Sequence, residues 1–438
     1  MQSTLAALFA SALLVLSAQA ATNFVTTTPM SPLQRPVRFD NQMLLRLPKT
    51  KQFFELADKL NLDVWSVGKA TVQVRADAKQ KRDLERLLKA KSTVLNANIQ
   101  QIIDRETAEL NKQIQVSRKF AVGDDSWHKQ YHPFDDIINW YKGVAAKYPD
   151  LVKFKPSVGK TLGGKDLPLV EITGTGGSGD KKHLWVQFGI HAREWISGAT
   201  GQFIADKLTS GYGTDARITS LLDKVRIVLI PIVNPDGYSY TWNGSRLWRK
   251  NRNGQGVDIN RNYPDHWALT GGASTSPSSE TYKGPSAGSE AETKALMAAY
   301  QSYSAGMIGA IDFHSYSQLL LRPYGWTNNK SPDEAAFSQL GSSMKSIIKS
   351  SRGTDYTSQP SIDLYMTTGT ASDWFYGSST TAKGQFRSYG ITIELSPDSS
   401  DWNGFVLPPD QIIPVGTEIF PAFLTYSEFC LNKPLIAN

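Results

Sequence analysis

His191-Ala192-Arg193-Glu194 places an imidazole and a carboxylate three residues apart, directly after an apolar run that ends at Gly189-Ile190. On a turn or a first helical turn, that spacing lets both side chains reach one metal ion. A catalytic zinc site needs a third protein ligand. His314 fits, because it closes a second apolar run, Ala310-Ile311-Asp312-Phe313. Two His and one Glu leave a zinc ion one open position, where the pKa of water falls to about 7. The same spacing also fits an ordinary surface pair, so the surroundings have to decide.

The runs that carry these residues are predicted strands. Residues 184–188, 225–232, 307–314 and 390–395 are apolar and alternate with helical stretches such as 134–148. From about Phe120 this alternation argues for an α/β domain with a mixed, largely covered sheet, its charged residues clustered at strand ends. Ahead of it lies a smaller unit. Residues 37–47 alternate apolar and polar, 51–60 turn helical, 62–67 and 70–75 read as strands, 77–91 as a helix and 93–99 as a last strand. The order βαββαβ suits a small α+β, ferredoxin-like domain. A polar helical stretch, 102–116, then leads to Ser117-Arg118-Lys119 and Gly123-Asp124-Asp125. That connector reads as exposed, and its basic pair suits a trypsin-like protease.

The bulk properties restrict the partners. Among 438 residues, the net charge of +7 is local: residues 21–119 hold 18 Lys and Arg against 10 Asp and Glu, and residues 120–438 hold 29 against 30. A polyanion-binding enzyme should carry its basic face on the working domain, so nucleic acid is not the expected partner. The apolar stretch 5–16, followed by Ala18-Gln19-Ala20, reads as a signal peptide spanning residues 1–20. It falls short of the roughly 20 residues that cross a bilayer, so a secreted, extracellular protein is expected and not a membrane one. With Cys430 alone, no intramolecular disulfide can form.

Several blocks then extend the pattern around the His-x-x-Glu pair: Pro231-Ile232-Val233-Asn234-Pro235-Asp236-Gly237-Tyr238, Arg246-Leu247-Trp248-Arg249, Val257-Asp258-Ile259-Asn260-Arg261-Asn262-Tyr263, Ser279-Glu280-Thr281-Tyr282, Asp312-Phe313-His314-Ser315-Tyr316-Ser317-Gln318 and Thr392-Ile393-Glu394-Leu395. In this order they resemble the pancreatic-type carboxypeptidase A/B family, the M14 zinc metallocarboxypeptidases. The resemblance covers essentially the whole chain after residue 20. It implies the zinc carboxypeptidase fold, a mixed sheet with helices on both faces, preceded by a propeptide, residues 21–119, that inhibits the catalytic domain, residues 120–438. It also implies one zinc ion, cleavage at peptide or protein C-termini, and a monomer.

Family roles fall on matching positions. His191, Glu194 and His314 resemble the zinc ligands, and Asp258 the carboxylate that orients His191. Glu394 resembles the general base and Arg249 the residue that stabilises the oxyanion. Asn260 and Arg261 match the anchor for the substrate's free carboxylate, for which a planar guanidinium is suited. Tyr365 matches the tyrosine that closes over the bound terminus; Arg193, Arg246 and Tyr316 match positions along the peptide cleft. Leu321, Thr367, Ser372 and Thr392 match the specificity pocket. Ser372 stands at its floor, where A-type enzymes have Ile and B-type enzymes Asp. A neutral floor cannot compensate a buried Lys or Arg, so aliphatic and aromatic C-terminal residues are expected.

Two departures and two decoys remain. Ser276-Pro277-Ser278-Ser279 stands where the family has a disulfide cysteine, and the loop from Trp374 to Tyr389 is longer than in the pancreatic enzymes. Gly174, Gly176 and Gly179 spell G-x-G-x-x-G, but a strand and not a helix follows, so a hairpin turn is expected in place of a nucleotide site. Asn243-Gly244-Ser245 and Asn329-Lys330-Ser331 match glycosylation acceptors. Two other functions stay open: a non-catalytic peptide-binding homologue, and an amidase or deacylase on the same fold.

Overall fold

β1 (Met43–Pro48), which buries Leu45 and Leu47 in one core and Leu44 in another, organises the first sheet. The computed structural model of the chain describes residues 36–116, 125–177, 180–377 and 387–433. The predicted signal peptide, the basic pair at Arg118-Lys119 and most of the long loop before Tyr389 lie outside these residues. β1 pairs antiparallel with β3 (Thr71–Ala76) on one side and β4 (Thr93–Asn96) on the other, and β3 pairs with β2 (Asp63–Val67), which leaves β2 at an edge. α1 (Lys51–Lys59) is capped by Thr50, and α2 (Ala78–Leu88) by a reciprocal Asp77–Gln80 box. Phe53 and Leu84 from these helices join Leu45, Val72 and Val74 in one small core.

The expected βαββαβ order is therefore observed, with the first strand starting at Met43 in place of residue 37 and the β4–α3 boundary also displaced. β4 stops at Asn96 and α3 (Ile99–Val116) starts three residues ahead of the predicted helix. The side chains of Asn96 and Asn98 accept from the amides of Asn98 and Gln100, which ends the strand and starts the helix.

The larger domain contains α4 (Phe134–Lys147), β5 (Val152–Lys155), β6 (Leu169–Ile172), β7 (Lys182–Phe188), α5 (Trp195–Gly211), α6 (Ala216–Lys224), β8 (Val225–Ile230), α7 (Pro235–Asn243), α8 (Ala291–Ser302), β9 (Met307–Ser317), β10 (Leu319–Arg322), α9 (Glu334–Arg352), β11 (Thr357–Pro360), α10 (Ala371–Tyr376), β12 (Tyr389–Asp398) and α11 (Ile412–Asn432). Its strands run in the order β11-β10-β12-β9-β7-β8-β6-β5, with β12, β9, β7 and β8 mutually parallel in the centre.

Period-2 alternation covers both faces of this sheet. Leu184, Val186 and Phe188 of β7 pack with α4, α5, α6, α9 and α11; Trp185 faces the other way, toward Leu296 and Tyr300 of α8 and Trp374 and Phe375 of α10. The expected mixed α/β sheet with helices on both faces is present. One local expectation fails. β6 and β7, which flank the Gly174–Gly176 loop, do not form a hairpin, because β8 lies between them. The loop is instead held from the side, the amide of Gly176 donating to Asp223 at 3.0 Å. Among the described residues, no helix is long and apolar enough to cross a membrane.

Candidate metal centre and substrate cleft

The centre forms where the parallel strands end. β7 stops at Phe188, Gly189 turns the chain with φ +64°, and Glu194 sits at the N-terminal cap of α5. Its carboxylate does not cap that helix. It turns to the imidazoles: Oε1 lies 2.8 Å from Nδ1 of His191 and Oε2 lies 3.1 Å from Nδ1 of His314. The two Nδ1 atoms are 3.0 Å apart. The three side chains are buried, and their donor atoms all lie within 4.8 Å of one another.

Each imidazole presents Nδ1 because its Nε2 is occupied. His191 donates from Nε2 to Asp258 Oδ1 at 3.1 Å, and His314 from Nε2 to Asp312 Oδ2 at 2.7 Å. Burial alone would raise the Glu194 carboxyl, yet His191 and His314 hold it well below the usual range. Burial opposes charge on His314, and Asp312 and Glu194 overcome it, pulling the imidazole well above its ordinary value. Such surroundings favour positive charge, and a His–Glu–His donor set with both outer nitrogens held fits a zinc ion.

A family model described as zinc carboxypeptidase matches residues 137–422. The chain belongs to the zinc carboxypeptidase family. Carboxypeptidase A1 of Rattus norvegicus is 35% identical over 350 residues, which cover 78% of this chain and 79% of the rat protein. Zinc carboxypeptidase A 1 of Anopheles gambiae is 36% identical over 343 residues, covering 76% of this chain and 74% of its own. The crystal structure of thrombin activatable fibrinolysis inhibitor superimposes with a TM-score of 0.77 at 27% identity, over 90% of this chain and 100% of that one. Carboxypeptidase A from Helicoverpa armigera shares the fold, with a TM-score of 0.80 at 24% identity over 90% and 98% of the two chains. The protein is a metallocarboxypeptidase, a peptidase hydrolase.

The cleft of this carboxypeptidase gathers most of the sequence-selected residues. One cavity is lined by the three metal-centre side chains together with Arg249, Asn260, Arg261, Tyr316, Tyr365, Leu321, Thr367, Ser372, Thr392 and Glu394. Glu394 stands opposite His314 in the β12–β9 register. Burial pushes its carboxyl up to about 8, Glu194 adds to the rise, and His314 and Arg249 oppose it. The Arg249 guanidinium donates to Asp258 at 2.8 Å, so one carboxylate holds both His191 and Arg249. Arg261 donates to Tyr365 Oη at 3.2 Å, and its buried Nε has no partner.

Arg193 and Arg246 do not line this cavity; they pair with acids of β2 and α3. Arg193 donates to Asp63 at 2.8 Å and stacks over Phe405, and Arg246 forms a two-point pair with Glu106 at 2.5 and 3.0 Å. Val64, Trp65, Ser66 and Val67 of β2 line the same cavity, and Tyr365 stacks on Phe54 of α1.

Sequence reasoning missed Asp63, Glu106 and Asp312. The first two lie in a basic segment, and no pattern marks their partners more than a hundred residues away. Asp312 did carry a signal, since positions i and i+2 of a strand share a face and Asp312 stands two residues before His314.

Proposed function

We propose that this metallocarboxypeptidase is a secreted zymogen that removes aliphatic or aromatic residues from peptide C-termini. One observation carries the reading: the His191–Glu194–His314 centre shares its cavity with Glu394 and with Arg261, whose buried Nε is unpartnered. A cationic fork at that depth calls for an anion, and a free α-carboxylate matches it.

His191, Glu194 and His314 would hold the zinc ion, which when bound would supply Lewis-acid polarisation of the scissile carbonyl. Arg261 and Asn260 anchor the terminal carboxylate, and Tyr365 closes over it. Glu394 takes a proton from the attacking water as the oxygen bonds to the carbonyl carbon, then gives it to the amine as the C–N bond breaks. Arg249 offers a fixed positive charge to the developing oxyanion. Ser372 makes a neutral pocket floor. Its neighbour Asp373 turns away, accepting from the Gly325 amide at 2.8 Å, and burial, with Asp265 adding repulsion, pushes its carboxyl up to about 7.

Latency is supported by the β2 residues that line the cavity and by the Asp63–Arg193 and Glu106–Arg246 pairs. We assign residues 1–20 to a signal peptide, 21–119 to the inhibitory propeptide and 120–438 to the catalytic domain, with a trypsin-like protease as activator. The chain should be a monomer. The test uses N-blocked dipeptides ending in Phe, Leu or Lys, assayed before and after limited trypsin treatment and again with a chelator. Release of Phe and Leu only after cleavage, abolished by the chelator, is expected. Equal activity before cleavage overturns the zymogen; preferential release of Lys overturns the pocket assignment.

A further inference from the structure

We propose that Asp312 is a positioning residue for the metal centre, setting the tautomer and orientation of His314 through a buried chain that runs Trp185–Gln187–Asp312–His314. The proposal rests on the zinc reading of the site above.

Asp312 and His314 stand two residues apart on β9, so their side chains leave the same face of the sheet. Gln187 is the direct neighbour of Asp312 across the β7–β9 pair, and Trp185 stands two residues before it on β7. The hydrogen bonds follow this register. Asp312 Oδ2 accepts from His314 Nε2 at 2.7 Å, Asp312 Oδ1 accepts from Gln187 Nε2 at 3.0 Å, and Gln187 Oε1 accepts from Trp185 Nε1 at 3.0 Å. Asp312, Gln187 and Trp185 have no exposed surface.

The alternative partner of His314 sharpens the assignment. Asn260 Nδ2 lies 3.2 Å from the same Nε2. Asn260 Oδ1 accepts from the Ala371 amide at 2.8 Å, which keeps its NH2 group toward the imidazole. An amide donor alone would make Nε2 the acceptor and move the ring proton to Nδ1, the atom that must face the metal. The shorter contact to Asp312 decides the reverse: Nε2 carries the proton and Nδ1 presents its lone pair.

Asp258 does the same for His191 but divides its charge. It also receives Arg249 at 2.8 Å and the Asn260 amide at 2.9 Å. Among the described residues, the side-chain hydrogen bonds of Asp312 go to His314 and to the neutral Gln187, so no second cation shares its charge as Arg249 shares that of Asp258.

The full-length chain is tested as wild type and as D312N, which keeps size and shape. Zinc affinity is measured by competition with a fluorescent chelator. Loss of an outer-shell partner costs roughly ten- to a hundredfold in metal affinity, and that is the expected loss in D312N. Cobalt-substituted protein in ordinary water should show two exchangeable, shifted imidazole N–H proton signals, of which D312N displaces one. The melting midpoint of the metal-free protein should change little, which a purely structural role would not allow. If D312N does not fold, Q187A is read in the same way and should weaken zinc binding by about threefold or more, since Asp312 would then be free to turn. Zinc affinity within twofold of wild type, with both N–H signals unmoved, overturns the proposal and leaves the metal centre standing. Failure of the wild-type chain to bind zinc overturns the metal centre, and this inference with it.

Discussion

Nη1 of Arg193 donates to both carboxylate oxygens of Asp63, at 2.8 and 3.0 Å, with both side chains almost wholly buried. Arg75 and the Trp65 indole also donate to Asp63, each at 2.9 Å. Burial opposes ionisation of Asp63, but Arg193 and Arg75 hold its carboxyl well below the usual range. β2 is thus tied to Arg193 through one carboxylate that three donors share.

Breaking a buried pair from one side costs about 3–5 kcal/mol. D63N should therefore loosen the docked domain, and the uncleaved chain should gain at least about tenfold in peptidase activity, with the Glu106–Arg246 pair limiting the gain. Assay of uncleaved D63N beside wild type checks this; unchanged latency would show that the Asp63–Arg193 pair does not limit activity.

E394Q keeps the shape of the cavity and removes the proton acceptor. Turnover of the activated enzyme should fall by roughly 10²–10⁴ while zinc content, read by elemental analysis, stays at wild-type stoichiometry. Retained turnover would dismiss the general-base assignment.

R261A removes the cation that we assign to the terminal carboxylate. Charged hydrogen bonds contribute about 1.5–3 kcal/mol, so KM for a peptide with a free terminus should rise roughly ten- to a hundredfold. Wild type should discriminate strongly against the C-terminal amide of the same peptide, and R261A should not. Equal discrimination in both would place the anchor elsewhere.

S372D puts a carboxylate at the position that we assign to the pocket floor. Relative kcat/KM for Lys- over Leu-ended dipeptides should rise by about 2 kcal/mol, or ~30-fold, because a charge pair then offsets the cost of burying the ammonium. A wild-type enzyme already favouring Lys would contradict the neutral-floor argument.

Acid sensitivity should come in part from His132, stacked on Trp127 with ring centroids 3.5 Å apart. Burial pushes its imidazole down to about 4. Between pH 6.5 and 4 the unfolded chain binds a proton there that the folded chain does not, so stability falls as pH falls through that window. The full shift corresponds to about 3 kcal/mol. Melting midpoints of wild type and H132Q across pH 4–7 should converge at the acid end; parallel curves would remove His132 from the account.

The residues of one chemical centre were legible where local pattern carried them. His191 and Glu194 are close in sequence, His314 closes an apolar run, and the period-2 burial of β7 and β9 reflects side chains that must alternate between two covered faces. The layout of the small domain was legible for the same reason, and the resemblance to a known family extended the reading to Glu394, Arg249 and Arg261. Register and long-range pairing were not. That β8 inserts between β6 and β7 follows from strand order, which the residues of the intervening loop do not encode. That Asp63 meets Arg193, and Glu106 meets Arg246, depends on segments 130 and 140 residues apart coming into contact. A buried charge must find a partner, so the sequence determined that these acids and arginines would pair if buried; only the tertiary structure decided with whom.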